Sequence, residues 1–160
     1  MTIQAGDRFP SVTFKTMTAD GPANLTSDEL LAGKTVVLVS VPGAFTPTCH
    51  ARHLPGYVDQ IDALKAKGVD AVACMAVNDV FVMNARGKAS HADGKITMLA
   101  DGNGDAARAL GLELDASGFG MGKRGQRFAL VVKDGMVTHV NVEAPGEFKV
   151  SAADYVLGQL

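Results

Sequence analysis

Val41-Pro42-Gly43-Ala44-Phe45-Thr46-Pro47-Thr48-Cys49-His50-Ala51-Arg52-His53 is the stretch on which the reading of this chain turns. It follows a nearly continuous apolar run, Thr35-Val36-Val37-Leu38-Val39-Ser40-Val41, which reads as a buried strand. The strand ends in a Pro-Gly turn and delivers one cysteine, Cys49, to the start of a helical pattern. A thiol there meets backbone N–H groups that lack intrahelical partners, and the positive end of the helix dipole. Both favour thiolate over thiol, so Cys49 is the candidate nucleophile. Lowering a thiol pKa from about 8.5 to about 6 raises the thiolate share at pH 7 from a few per cent to about 90%, roughly 3.4 kcal/mol of differential stabilisation.

The spacing Pro42-x-x-x-Thr46-x-x-Cys49 supplies partners for that sulfur. Thr46 lies three residues before it, so its hydroxyl can fold back onto the thiolate or onto a substrate oxygen. Pro42 has no N–H and a fixed φ, and can shape a wall without offering a competing donor. Pro47 suits a helix entry, where a missing donor costs little.

Working outward, the pattern alternates strands and helices. Thr26 and Glu29 form a capping box for a short helix that Gly33 stops. A helix is expected from about Cys49 to Lys67, with Leu54, Val58, Ile61 and Leu64 on one face and a kink at Pro55-Gly56. Strands are expected over 70–77 and 96–100, and helices over 80–92 and 105–110. A hairpin pairs 127–133 with 136–142 through Asp134-Gly135, and a helix spans 151–160. This order means one α/β domain over residues 1–160, a mixed central sheet flanked by helices.

Composition excludes several classes. At 47% hydrophobic and 20% charged, with formal net charge −2, the chain reads as an ordinary globular protein without the basic excess that nucleic acid or an anionic membrane would demand. No apolar run approaches the ~18 residues of a membrane span, and the N-terminus lacks a signal pattern. Two cysteines in 160 residues do not make a disulfide framework, so a reducing, cytoplasmic setting is expected.

Pro42-Gly43-Ala44-Phe45-Thr46-Pro47-Thr48-Cys49 with His53-Leu54-Pro55-Gly56 resembles the active-site signature of peroxiredoxins, and most resembles the peroxiredoxin-5 (type II) subfamily. The likeness continues in Val77-Asn78-Asp79-Val80-Phe81-Val82, Leu99-Ala100-Asp101, Arg127-Phe128-Ala129-Leu130-Val131-Val132 and Asn141-Val142-Glu143-Ala144-Pro145-Gly146, covering nearly the whole chain. The resemblance implies a thioredoxin-like fold and reduction of hydrogen peroxide or organic hydroperoxides. It makes Cys49 the peroxidatic nucleophile, with Thr46 and Arg127 as its partners and Pro42 and Thr48 at the substrate. Arg127 and the N–H groups of Thr48 and Cys49 would then supply fixed donors to the charge that develops. No cofactor or metal is implied. The reductant would be an external thiol, glutathione with glutaredoxin in preference to thioredoxin, because residues 148–160 contain no second cysteine. A homodimer is also expected.

Blander and rival readings sit beside these. Cys74, inside the apolar Val72–Val77 run, reads as a buried structural residue. His53 reads as structural, bonding locally, and His50 with His53 makes only half a metal site. Gly102-Asn103-Gly104 superficially fits a phosphate loop, but Asp101 and Asp105 would repel a pyrophosphate. The glycine-rich 118–122 stretch reads as a lip over the site, with Phe119 and Leu114 as apolar pocket walls. Arg124 is a candidate for a supporting or reductant-docking charge. A cysteine hydrolase would need His91 or His139 as its base, and a non-enzymatic redox sensor or chaperone would use the same reactive thiol. Two departures from the family pattern concern assembly. Arg86 stands where tryptophan is common, on a surface resembling a dimer contact, and Gly125 stands where serine is common.

Overall fold

The computed structural model describes residues 2–47 and 52–160. Its centre is β3 (Thr35–Ser40), in which Val36 to Ser40 are all buried. A strand this apolar on both faces must have helices on both sides. Parallel β4 (Ala71–Ala76) lies beside it, then β5 (Ile96–Ala100), while β8 (Phe128–Lys133) runs antiparallel on its other flank. With β1 (Thr13–Thr18), β2 (Gly21–Thr26) and β9 (Met136–Val142), the described residues form a mixed sheet in the order β2-β1-β5-β4-β3-β8-β9.

Alternation along the strands splits the core in two. Val37, Val39, Val72, Cys74 and Val131 pack with α2 (Leu54–Asp59), α3 (Ile61–Ala66), α4 (Val80–Ala89) and α6 (Ala153–Gln159). Val36, Leu38, Ala73, Met75, Leu130 and Val132 face α1 (Ser27–Leu31), α5 (Asp105–Ala109) and Phe14. The arrangement is the expected mixed sheet flanked by helices.

Local chemistry sets several elements. Thr26 and Glu29 form the reciprocal capping box of α1. Asp134 and Gly135 have φ of 50° and 78°, the pair of left-handed residues that a two-residue hairpin between β8 and β9 requires.

Three expectations are corrected. The helix expected to run from the Cys49 segment to Lys67 is divided in two. Pro55 sits in the first turn of α2, where no N–H is needed, and the break falls at Gln60 between α2 and α3. Helix α4 ends at Ala89 rather than 92, because His91 adopts φ 56° and Ala92 N–H closes the end on the Gly87 carbonyl. Arg127 precedes β8 instead of opening it. Two hairpins escaped the sequence reading. β1 and β2 form a polar edge pair in which Phe14 is the buried residue of β1, and β6 (Glu113–Asp115) pairs with β7 (Lys123–Gly125) around a 3-10 turn at Ser117–Phe119. The 118–122 stretch is the connection of that second hairpin.

Candidate active site

The site forms where β3 and β4 end. After Ser40 the chain turns through 41–47, and Val41, Ala44 and Thr46 each have a fixed partner there. Val41 N–H donates to the Met75 carbonyl at 3.2 Å, and Ala44 N–H donates to the Asn78 side-chain oxygen at 3.0 Å. Gly43 must lack a Cβ, because one there would lie 2.9 Å from the Thr46 methyl. That closeness lets the Thr46 hydroxyl donate to the Gly43 carbonyl at 3.0 Å. Arg124 braces the far side, donating to the carbonyls of Val77 at 3.0 Å and Met121 at 2.9 Å, so its guanidinium ties the β6–β7 hairpin to the end of β4. Cys49, Thr48 and His50 lie outside the described residues, and their expected roles are carried by the sequence.

Arg127 enters from the other side of the turn. Its carbonyl accepts from Glu143 N–H at 3.0 Å, extending the β8–β9 ladder by one pair. Its side chain, half-buried, donates through Nη1 to Nδ1 of His53 at 2.8 Å. The other imidazole nitrogen, Nε2, donates to the Ser151 carbonyl at 3.0 Å, which fixes the tautomer: the proton is on Nε2 and Nδ1 is the acceptor. The Tyr57 hydroxyl donates to the same carbonyl at 2.7 Å. Ser151 is in turn held by Glu143, whose Oε2 accepts from the Ser151 N–H at 2.8 Å, the Ser151 hydroxyl at 2.6 Å and Lys149 N–H at 2.7 Å. Arg127 and Glu143, neighbours across the ladder, thus converge on one buried polar cluster.

The electrostatics follow from that burial. His53 is fully buried, and desolvation, then the Arg127 charge, pushes its pKa down to about 3; the Ser151 carbonyl and Glu143 oppose this, and Arg86 adds to it. The imidazole is neutral at physiological pH. Burial works against the charge of Glu143, but hydrogen bonds from Ser151 and from the backbone of Lys149 and Val150 outweigh it and hold its carboxyl below the usual range. Tyr57 is pushed well above its ordinary value by burial, and remains a donor.

A cavity of about 340 Å³ opens beside Arg127, lined by Pro42, Leu114, Phe119, Gln126, Glu143 and the 144–147 turn. Phe119 projects from the β6–β7 connection, 86% exposed. A larger cavity of about 410 Å³ lies at the N-terminal ends of β4 and β5, the opposite edge of the sheet, among Lys65, Asp70, Asp93 and Lys95, and contains no nucleophilic thiol.

Several sequence readings change. His53 does not bond locally: its partners lie 74 and 98 residues away, and with both ring nitrogens committed it has none to offer a metal. Among the described residues no group of three or more metal-ligating side chains occurs. The readable signal was spacing, since His53, Tyr57, Ile61 and Leu64 share the buried stripe of the helix and polar groups on such a stripe need partners. Arg86 does not present its charge at a surface. It is 2% exposed, donates to the Ser90 hydroxyl and lies 5.8 Å over the Phe45 ring. Gly125 fits because a Cβ would stand 3.2 Å from Ser40 Oγ, which donates to the Gln126 carbonyl. Asp101 takes the N–H groups of Ala106 and Ala107 at 3.0 Å each, so the glycine turn before α5 is capped from within. Cys74 is buried in β4 opposite Val39.

Comparison with known proteins places this arrangement. The Redoxin family model matches residues 4–157. Peroxiredoxin-2B of Arabidopsis thaliana is 45% identical over 159 residues, spanning 99% of this chain and 98% of its own length. The crystal structure of reduced Prx3 in complex with hydrogen peroxide from Vibrio vulnificus superposes with a TM-score of 0.95 at 50% identity, covering 99% of each chain. That of peroxiredoxin 5 from Alvinella pompejana gives 0.83 at 34% identity, covering 98% of each. With nearly all of it matched in sequence and in fold, the chain belongs to the Redoxin family and, within it, to the thiol peroxidases of the peroxiredoxin-5, or type II, peroxiredoxin class.

Proposed function

We propose that this peroxiredoxin reduces hydrogen peroxide and organic hydroperoxides through Cys49 acting alone within the chain, and that glutathione with glutaredoxin, rather than thioredoxin, restores it. The observation that carries the reading is the cavity in which the Arg127 guanidinium and Pro42 stand together, next to the segment that bears Cys49.

The Cys49 thiolate attacks one peroxide oxygen in line. An S–O bond forms, the O–O bond breaks, and the departing alkoxide or hydroxide takes a proton to leave as alcohol or water. Cys49 is oxidised to sulfenic acid and the peroxide is reduced. Arg127 serves the developing charge with a fork that stays ionised, and the Thr48 and Cys49 N–H groups act as further fixed donors, while Thr46, whose hydroxyl proton goes to the Gly43 carbonyl, offers its oxygen as an acceptor to the hydroperoxide O–H. A thiol then displaces the sulfenic oxygen as water, giving a mixed disulfide that a second thiol resolves. Leu114, Phe119, Ala144 and Pro145 give the cavity apolar walls that suit an alkyl hydroperoxide tail.

Two observations support an external reductant: residues 148–160 contain no cysteine, and Cys74 is buried on an interior strand. A homodimer in a reducing, cytoplasmic setting completes the proposal. The dimer draws on the exposed rings of Phe45 (50%) and Phe81 (65%), and light scattering at micromolar protein tests it.

Steady-state turnover tests the whole reading. Hydrogen peroxide and tert-butyl hydroperoxide are each supplied with glutathione and glutaredoxin, or with thioredoxin and its reductase. Sustained turnover with the glutaredoxin system, exceeding that with thioredoxin, is expected. Slow oxidation without turnover on either would replace the enzyme with a thiol-based sensor.

A further inference from the structure

Arg52 stands three residues beyond Cys49, exposed, with its guanidinium 4.9 Å over the Phe148 ring. Phe148 is half-buried and packs edge-on against the buried His53 ring at 5.1 Å, so the platform under the cation is fixed. Among the described residues no carboxylate pairs with Arg52 and no acceptor takes its N–H groups, whereas Arg108, Lys123 and Lys149 each have a carboxylate partner. A groove of about 220 Å³ opens beside it, between α2 and the 148–154 segment. Gly56 and Ala153 are its small walls, and Asp59 and Asp154 supply negative charge, the latter steadied by the Gln60 amide at 3.1 Å. An unpaired guanidinium and two carboxylates around a volume of this size are complementary to a zwitterionic amino-acid head.

We propose that this groove receives the γ-glutamyl head of glutathione when oxidised Cys49 is reduced: Arg52 takes the α-carboxylate, Asp59 and Asp154 attract the ammonium, and Phe148 holds the guanidinium in place. The inference rests on Cys49 as the peroxidatic residue and on glutathione as its reductant. Three residues of chain carry Arg52 at most about 11 Å from Cys49, and roughly 8 Å of extended chain separates the glutathione sulfur from the α-carbon of its γ-glutamyl head. With the head seated, the sulfur therefore reaches Cys49. The glutathione thiolate attacks the sulfenic sulfur, an S–S bond forms and the S–O bond breaks. The hydroxyl leaves as water with the proton that the thiol gave up, so Cys49 is reduced and the glutathione sulfur is oxidised. Thioredoxin presents a folded surface without a free amino-acid head, so a site of this kind gives the preference for glutathione a physical cause.

Reduction of the sulfenic acid, followed by stopped flow after stoichiometric hydrogen peroxide, tests this. The thiols are glutathione, cysteinylglycine, which lacks the γ-glutamyl head, and 2-mercaptoethanol. The proteins are wild type, Arg52→Gln, Arg52→Glu and Lys149→Gln, with urea denaturation of each. We expect the preference for glutathione over 2-mercaptoethanol to fall by about 5-fold or more in Arg52→Gln, and further in Arg52→Glu. The preference for cysteinylglycine over 2-mercaptoethanol should move by less than about 2-fold in the same variants. Lys149→Gln removes the same charge one residue from Phe148 and should leave every preference within about 2-fold of wild type. An unchanged preference in Arg52→Gln, an equal fall in Lys149→Gln, or an equal loss with cysteinylglycine would overturn the inference. So would an Arg52 effect seen only after glutaredoxin is added, which would make the groove a surface for that protein. Wild type that hydrogen peroxide oxidises slowly, or that glutathione does not reduce, would instead overturn the reading on which the inference rests.

Discussion

Two strand-to-helix turns leave the same edge of the sheet and are held in opposite ways. After β5, Asp101 reaches forward five and six residues to accept from Ala106 and Ala107, and Gly104 at φ 75° lets the chain double back. The whole device lies within seven residues. After β3, the 41–53 stretch is held from far away: Ala44 by Asn78, 34 residues on, and His53 by Arg127 and Ser151, 74 and 98 residues on. The first turn is structure made locally. The second leads into the segment that bears the proposed nucleophile Cys49, and donors for one sulfur drawn from separate elements are something only tertiary contacts can arrange.

The largest effect expected is on chemistry at the second turn. Arg127→Gln should slow Cys49 oxidation by about 10² to 10³-fold, the usual cost of removing a preorganised donor, while urea stability changes little. Stopped-flow traces beside urea titrations check this, and a rate unchanged by the substitution would remove Arg127 from the transition state. The first turn should respond in reverse. Asp101→Ala orphans two helix N–H groups and should cost about 1–2 kcal/mol of stability, leaving the oxidation rate within about 2-fold.

Titration sharpens the contrast further. The folded pKa of His53 is depressed to about 3, below the ~6.5 of the unfolded chain. Between these values the unfolded state takes up a proton that the folded state refuses. Stability is therefore full above about pH 6.5 and falls as pH falls, by about 2 kcal/mol between pH 6.5 and 5 from this group. Urea midpoints across that window should show a shallower slope in His53→Asn than in wild type; parallel slopes would mean His53 is not held neutral. The smallest effect belongs to the loop anchor. Asn78→Ala frees Ala44 N–H and should slow oxidation by about 5- to 10-fold, and Asn78→Asp, which keeps the acceptor, should lose less.

The same contrast explains what was legible in the sequence. Devices closed within a few residues could be read: the Thr26–Glu29 box, the Asp134-Gly135 turn and the apolar β3 run. The β1–β2 hairpin was missed because Phe14 is the fully buried side chain of β1, so no apolar stripe marks it. At the site, motif likeness singled out Thr46, Cys49 and Arg127, yet the cluster of His53, Tyr57, Glu143 and Ser151 was not assigned. Its members pair across 8 to 98 residues, and a spacing of that size has no periodicity to betray it. Arg86 was misplaced for a related reason. Family likeness set it on a dimer-contact surface, whereas within the chain it lies over the Phe45 ring, donates to the Ser90 hydroxyl and is buried.

The central claim is that one cysteine does the chemistry and the other is packing. Stopped-flow oxidation of wild type, Cys49→Ser and Cys74→Ser by hydrogen peroxide, followed by peptide mass mapping of the oxidised monomer, tests it most directly. Fast oxidation abolished in Cys49→Ser and retained in Cys74→Ser, with sulfenic acid on Cys49, is the result expected. An intact Cys49–Cys74 disulfide, or oxidation and turnover lost in Cys74→Ser, would contradict it.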